Sequence, residues 1–276
     1  MEIDKTTLND LAVFNAEEAF SLFNYLDHTT TTNGKEQLKI NLQTPLQTPD
    51  AINGIQQTLK LILLKQKDWP GQISNGSVMV IERFYDARVD MIPANVSATN
   101  AYSYKLLHAP DYSLIKYSVT HYFDFIKGMQ QLVDVFLKDD CPPPLHKLLE
   151  QAGRLIAQEV FSMVRINTSA GELPIQQILQ LAHFILYRFK QGMHTLLQIH
   201  AQLDAWYGMA MAIQKYHLVF PVCKASEQPF IDVTGLYHPL LTNAVSYDIA
   251  MNRQTNFLFL TGANMAGKST FIKAVG

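Results

Sequence analysis

The residues with the clearest chemistry lie near the end of the chain, where residues 262–269 fit the phosphate-binding pattern G-x-x-x-x-G-K-[ST]. In such a loop, backbone N–H groups surround the phosphates of a nucleotide, and the following helix adds the positive end of its dipole. Lys268 is predicted to reach the β- and γ-phosphates, and the Ser269 hydroxyl is predicted to bind Mg²⁺. The predicted phosphate-binding residues are Gly262, Ala263, Asn264, Met265, Ala266, Gly267, Lys268, Ser269 and Thr270.

A phosphate loop works in a particular setting, with a strand leading into it and a helix following it. Residues 256–260 read N-F-L-F-L, an apolar run typical of a buried parallel strand, and residues 271–275 can open a helix. We therefore expect the order strand, loop, helix. A central parallel strand also needs neighbouring strands and helices that cover both of its faces.

The composition predicts a soluble globular chain of one large or two ordinary domains, since 48% of its 276 residues are hydrophobic. The net charge of −2 argues against a broadly basic surface for nucleic acid. Cys141 and Cys223 form no C-x-x-C pair, which disfavours a disulfide framework or a cysteine zinc site and fits a reducing cytoplasm. The sequence has neither a signal-like apolar core nor a run long enough to span a membrane.

The first 225 residues have the three- and four-residue apolar spacing of packed helices. Asn33 is predicted to cap a helix over residues 34–42, with Glu36 completing a capping box, and Thr48 is predicted to cap a helix that runs to about Gln66. Long helices are expected over residues 112–138 and from residue 145 onwards. Their aromatic residues could be base-stacking platforms, but their helical spacing favours a place in the core.

The complete loop, residues 261–270, resembles that of the MutS family of DNA mismatch-repair ATPases, which usually reads T-G-P-N-M-x-G-K-S-T. Ala263 replaces the family's proline, and no phosphate donor is lost because proline has no N–H. The resemblance implies that the nucleotide is ATP. It also implies a Walker B strand and a signature from a second subunit, and neither can be assigned within these 276 residues.

A second resemblance to the same family lies at the start of the chain. Residues 1–4, 21–29, 34 and 42–46 read M-E-I-D, S-L-F-N-Y-L-D-H-T, G and L-Q-T-P-L, similar to the family's L-E-I-D, S-L-L-x-x-L-D-x-T, G and L-x-x-P-L. A weaker match, including Leu203, Asp204 and Tyr216, is similar to the returning lever helix. The matches occur in the family's order and lie more than 200 residues apart at their extremes.

Two further site residues follow from the resemblance. Residues 236–241, L-Y-H-P-L-L, resemble the G-R-H-P motif before the ATPase core, so His238 either contributes to the site or fixes the His-Pro turn. Ala244 stands where relatives often place a phenylalanine beside the adenine base, and Tyr247 is the candidate to take over that stacking. The nine histidines have no zinc-ligand spacing.

The predicted fold class is mainly α, with a MutS-like core and lever region over residues 1–225, of which 1–85 are core and 86–225 long helices. Residues 226–276 are expected to be the incomplete start of a P-loop α/β ATPase domain within a longer protein. The mismatch-reading and connector domains are not found, and the insertion around residues 164–173 is too short for a DNA clamp. Arg165 and Lys190 alone do not form a phosphate track.

Two functions from different classes remain open. The first is a MutS-like DNA-repair protein that, in a longer homodimeric form, binds duplex DNA and hydrolyses ATP. In that protein the nucleotide state would move the lever helices. Its catalytic residues cannot be assigned from this sequence. The second is a helical dimerisation or docking scaffold without ATPase activity. We also expect the region from about Pro229 to be poorly ordered or held by contacts with another copy, so that this chain alone has no tight nucleotide site.

Overall fold

The computed structural model describes residues 5–15, 20–94 and 96–276, which are mainly α-helical. The predicted match at residues 1–4 lies outside the described residues. The α-helices are α1 Lys5–Asp10, α2 Leu22–Leu26, α3 Thr32–Gln43, α4 Pro49–Leu64, α5 Asn75–Phe84, α6 Ala98–Leu107, α7 Ala109–Phe136, α8 Pro143–Ile156, α9 Ser162–Ile166, α10 Ile175–Arg188, α11 Lys190–Tyr216 and α12 Lys268–Val275. The strands are β1 Ile231–Leu236 and β2 Tyr247–Met251.

Two of the helix starts test the capping predictions. Thr48 is confirmed as the N-cap of α4, since its hydroxyl accepts a hydrogen bond from the Ala51 N–H at 3.2 Å. The prediction of Asn33 for α3 is wrong, because Thr31 is the N-cap and its hydroxyl accepts from the Gly34 N–H at 3.1 Å. The Asn33 amide instead donates to Glu82 at 2.9 Å. Both residue types cap helices well, so local sequence could not choose between them.

The hydrophobic core lies around the long helix α7, which packs against α5, α8 and α10. The prediction that its aromatic residues belong to the core is confirmed for Tyr122, Phe123 and Phe136, which are buried. Leu114, expected in the same stripe, is exposed instead. The segment between α8 and α10 contains α9 and two short 3₁₀ turns.

The second long helix, α11, crosses the N-terminal segment that carries α2 and α3. Asp204 of α11 has no exposed surface, and its carboxylate accepts hydrogen bonds from the N–H and hydroxyl groups of both Thr30 and Thr31, at 2.7 to 2.9 Å. A Cβ atom added to Gly34 would lie 2.1 Å from an oxygen of that carboxylate. Asp204 therefore joins α11 to the start of α3, and only glycine fits at position 34.

The described part of the C-terminal region has a single sheet of two antiparallel strands, in which Ile231 pairs with Met251 and Val233 with Ile249. The pairing shifts register beyond Val233, where Gly235 adopts a positive φ of 68° and donates its N–H to the Asp248 carboxylate at 2.8 Å. The strand predicted over residues 230–233 is thus confirmed in β1. None of the described helices is long and apolar enough to cross a membrane.

The strand predicted over residues 256–260 is not formed. Phe257 is 81% exposed and Phe259 79% exposed, and residues 257–260 have no strand pairing. The physical reason is that a parallel strand depends on backbone partners at its edges and on helices over its faces, and the described residues place neither there. The parallel sheet of a P-loop domain is therefore not seen in this structure.

Candidate functional site

The phosphate-loop sequence forms a compact turn that leads directly into α12. The Ala266 N–H donates to the Ala263 carbonyl at 3.2 Å, and the Phe271 N–H donates to the Gly267 carbonyl at 2.9 Å. Gly267 is the N-cap of α12 and has a φ of 85°, a left-handed conformation that favours glycine. No side chain caps this helix start, and its first turn contains no acidic residue. The arrangement leaves the positive end of α12 suited to an anion.

Lys268 crosses the loop at the point where α12 begins. Its ammonium group donates to the carbonyl oxygens of Gly262 and Ala263, each at 2.7 Å. These contacts hold the positive charge over the turn, where a phosphate group would meet both it and the N–H groups of the helix start. Ser269, the predicted Mg²⁺ ligand, is exposed on the first turn of the same helix. The turn and the helix start that the phosphate-loop pattern predicts are thus present, without the expected strand.

A cavity of about 370 Å³ lies beside the loop. It brings together six of the predicted site residues, which are His238, Tyr247, Ala266, Gly267, Lys268 and Thr270. The predicted residues that do not line it are Gly262, Ala263, Asn264, Met265 and Ser269. The rest of its wall is mostly apolar and includes Leu241, Ala244, Val245, Leu260 and Phe271. Most of these apolar residues were missed, since nothing in their spacing distinguishes them from ordinary packing residues.

Tyr247, at the start of β2, contacts α12 directly. Its ring lies 4.6 Å from that of Phe271, and its hydroxyl donates to the Phe271 carbonyl at 3.3 Å. The tyrosine therefore ties the sheet to the helix that follows the loop. Part of its ring area is engaged in this contact, while the residue still lines the cavity.

His238 is buried and lines the same cavity. Its Nδ1 atom accepts a hydrogen bond from the Leu240 N–H at 3.3 Å, and its carbonyl accepts from the Leu241 N–H at 3.2 Å. Burial lowers the pKa of His238, and the positive charge of Lys273 lowers it further. A neutral imidazole with Nδ1 as acceptor leaves Nε2–H as a donor. His238 thus fixes the His-Pro turn and lines the cavity, so its two predicted roles are compatible.

An aromatic cluster at the end of the helical region consists of the stacked Tyr25 and Tyr216, with Tyr237 nearby. Tyr25 of α2 stacks on Tyr216, the last residue of α11, with ring centroids 3.9 Å apart. Burial raises the pKa of Tyr25, and the charges of the Tyr237 and Tyr216 hydroxyls raise it further, so Tyr237 lies within electrostatic range of this pair. Because Tyr237 precedes His238, the cluster connects the cavity wall to the end of α11.

Fold and site together define a mainly helical protein with a phosphate-loop sequence beside a small antiparallel sheet. No protein-family model matches the chain. It is 30% identical to the DNA mismatch repair protein MutS of Geobacillus kaustophilus over 136 residues, which are 46% of this chain and 15% of that protein. It is 34% identical to MutS of Thermotoga maritima over 94 residues, 32% of this chain and 12% of the relative. MutS of Alkaliphilus oremlandii is 27% identical over 107 residues.

The similarity covers between a third and a half of the chain and repeats across relatives from several organisms. This chain is therefore related to the MutS family over that part of its length. The matched regions account for only 12% to 15% of the curated relatives.

Proposed function

We propose that the chain is part of a MutS-like DNA-repair protein and binds ATP with Mg²⁺ in the cavity beside residues 262–270. The observation that carries this proposal is that one cavity contains Lys268, the start of α12 and the two upstream residues His238 and Tyr247. The relationship to proteins named DNA mismatch repair protein MutS supports the DNA-repair part. A P-loop sequence alone would support only phosphate binding.

The arrangement of the cavity suggests how the nucleotide lies in it. The triphosphate would contact the N–H groups at the start of α12 and the Lys268 ammonium, with Mg²⁺ held by Ser269 and the phosphates. The base would enter the apolar part of the cavity between Ala244 and Tyr247. An apolar cavity with a few polar groups at one end is suited to a ligand with a flat ring and a charged tail.

The aromatic cluster would transmit a conformational change from the nucleotide cavity to α11. A bound nucleotide that shifts the His238 turn would displace Tyr237, which lies within electrostatic range of Tyr25, and Tyr25 stacks on Tyr216. The 27 residues of α11 span about 40 Å at 1.5 Å per residue, so a small rotation at Tyr216 becomes a larger displacement at Lys190. We therefore propose that nucleotide state is coupled to movement of the lever helix α11.

Contact with duplex DNA and homodimer formation belong to the same proposal. Support for DNA contact comes from the relatives' names, since the net charge of −2 gives no general attraction to phosphates. The homodimer rests on the resemblance alone. Hydrolysis of ATP is proposed for the longer protein, because the described residues offer no acidic pair beside the loop that could hold Mg²⁺ and water.

Ligand-observed NMR with ATP and Mg²⁺ tests the nucleotide site, because it detects weak as well as tight binding. We expect transfer signals from the adenine and ribose protons of ATP, and Lys268→Ala should weaken binding by about 10- to 150-fold, the equivalent of a charged hydrogen bond. Lys147→Ala is the matched control, since it removes the same charge from an exposed position of another helix, α8. Equal signals from both variants and the unaltered chain would refute the site.

Tryptophan fluorescence tests the coupling. Trp206 lies in α11, and Trp69 stacks on Tyr207 of the same helix with ring centroids 4.4 Å apart. Saturating ATP and Mg²⁺ should change the emission of the unaltered chain, and Tyr25→Ala should abolish the change while leaving the NMR signals intact. An unchanged fluorescence response in Tyr25→Ala would show that the cluster does not carry the coupling.

A further inference from the structure

A cluster of three metal-ligand side chains lies far from the phosphate loop in sequence, where the segment after α5 meets the junction between α6 and α7. Asp90 comes from that segment, His108 is the N-cap of α7, and Asp111 lies in its first turn. One potential ligand atom from each side chain lies within 4.8 Å of the others. His108 Nδ1 is 2.6 Å from an Asp90 carboxylate oxygen.

The backbone at Asp90 is held on both sides, so the cluster does not depend on a free loop. The Asp90 N–H donates to the Asp111 carboxylate at 2.9 Å, and the Asp90 carbonyl accepts from the Tyr104 hydroxyl at 2.9 Å. The Tyr104 ring packs beside the imidazole of His108, with centroids 4.8 Å apart. One buried tyrosine therefore positions both the aspartate and the histidine.

The electrostatic surroundings of the cluster are negative. The carboxylates of Asp90 and Asp111 each offer an oxygen to the cluster, and these oxygens lie within 4.8 Å of one another. Both carboxylates remain at least partly exposed to solvent. A cation would relieve the repulsion between them, and solvent access leaves room for water ligands.

We propose that Asp90, His108 and Asp111 form a binding site for a divalent transition-metal ion, with Zn²⁺ as the best match. One imidazole nitrogen and two carboxylate oxygens are ligands that Zn²⁺ accepts, at about 2.0 to 2.2 Å from the metal. In tetrahedral geometry such ligands lie about 3.4 Å from one another. The ligand atoms of the cluster therefore reach that spacing through small side-chain rotations, and water supplies the fourth ligand.

Mg²⁺ is a poorer match because it prefers six oxygen ligands in octahedral geometry. The site is independent of the proposed nucleotide cavity, which shares none of its residues.

Isothermal titration calorimetry on the chain without a histidine tag is the test, with ZnCl₂ and MgCl₂ as the titrants. We expect saturable binding of one Zn²⁺ and at least tenfold weaker binding of Mg²⁺. His108→Gln and Asp111→Asn should each weaken Zn²⁺ binding by about tenfold or more. His194→Gln is the matched control, since it removes an exposed histidine that pairs with Gln198 on α11.

The Asp111→Asn variant distinguishes a metal-ligand role of Asp111 from a purely structural role. Its amide oxygen can still accept the hydrogen bond from the Asp90 N–H, so the melting temperature without metal should stay close to that of the unaltered chain. Zn²⁺ should raise the melting temperature of the unaltered chain and of Lys268→Ala equally, but that of Asp111→Asn much less. Zn²⁺ affinity that is the same in His108→Gln, Asp111→Asn and the control would overturn the proposal, as would the absence of saturable binding.

Discussion

Removing the Asp204 carboxylate should destabilise the junction between α11 and α3 more than any surface change in the same helices. Asp204 has no exposed surface and accepts hydrogen bonds from four donors on Thr30 and Thr31. Asp204→Ala deletes all four bonds and leaves a space where the carboxylate was. Thr30 is exposed and can turn its donors to water, but Thr31 is buried and cannot.

The magnitude follows from the two donors of Thr31 that lose their partner. Each unsatisfied buried donor costs about 1 to 3 kcal/mol, and removing one partner of a buried charged network costs about 3 to 5 kcal/mol. We therefore expect Asp204→Ala to lower the free energy of unfolding by about 3 to 5 kcal/mol. Asp204→Asn keeps one acceptor oxygen and should cost about half as much.

Gly34→Ala tests the same junction from the other side. The new Cβ atom would lie 2.1 Å from an Asp204 oxygen, and the four hydrogen bonds prevent the carboxylate from moving away without loss. We expect a cost of about 2 to 4 kcal/mol after allowing about 1 kcal/mol for the better helix propensity of alanine. The double variant Gly34→Ala with Asp204→Ala should cost about 1 to 3 kcal/mol less than the sum, because both changes break the same bonds.

Urea unfolding followed by circular dichroism measures these differences. Gly76→Ala is the matched control, because Gly76 is exposed in α5 and an added Cβ would find its nearest neighbour, Ser74 Oγ, 3.7 Å away. That variant should be neutral or about 1 kcal/mol more stable. Equal effects of Gly34→Ala and Gly76→Ala, or full additivity in the double variant, would contradict this account of the junction.

Three further predictions concern pH, DNA and nucleotide affinity. Burial lowers the pKa of His200, and the charge of Asp204 partly opposes this shift. The free energy of unfolding should therefore fall as the pH drops below about 6.5, by at most about 1.4 kcal/mol per pH unit. Urea unfolding should show a weaker pH dependence for His200→Gln than for the unaltered chain, and His194→Gln should leave the dependence unchanged. In competition assays, duplexes with and without a G·T mismatch should bind this chain weakly and equally, and a tenfold preference for the mismatch would refute this. Calorimetry with ATP and Mg²⁺ should give an affinity weaker than micromolar, because residues 257–260 lack strand partners; tighter binding would mean that the loop is preorganised without a sheet.

Much of the helical region was predictable from sequence because its signals are local. Apolar residues at three- and four-residue spacing are buried in α7, and a threonine before a proline begins α4. Such patterns act within one or two helical turns, so neighbouring residues suffice to interpret them. The phosphate-loop pattern is local in the same sense, and the turn and helix that it predicts over residues 262–275 are present.

Features that depend on contacts between residues far apart in the sequence became visible only in the tertiary structure. Asp204 lies 173 residues from Thr31, so only folding reveals why Thr31 rather than Asn33 caps α3 and why position 34 is glycine. The same holds for Asp90, His108 and Asp111, which match no ligand motif and meet only when α6 and α7 pack against the preceding segment. Residues 257–260 illustrate the opposite case, because an apolar run becomes a parallel strand only where other chain segments pair with its backbone and cover both faces.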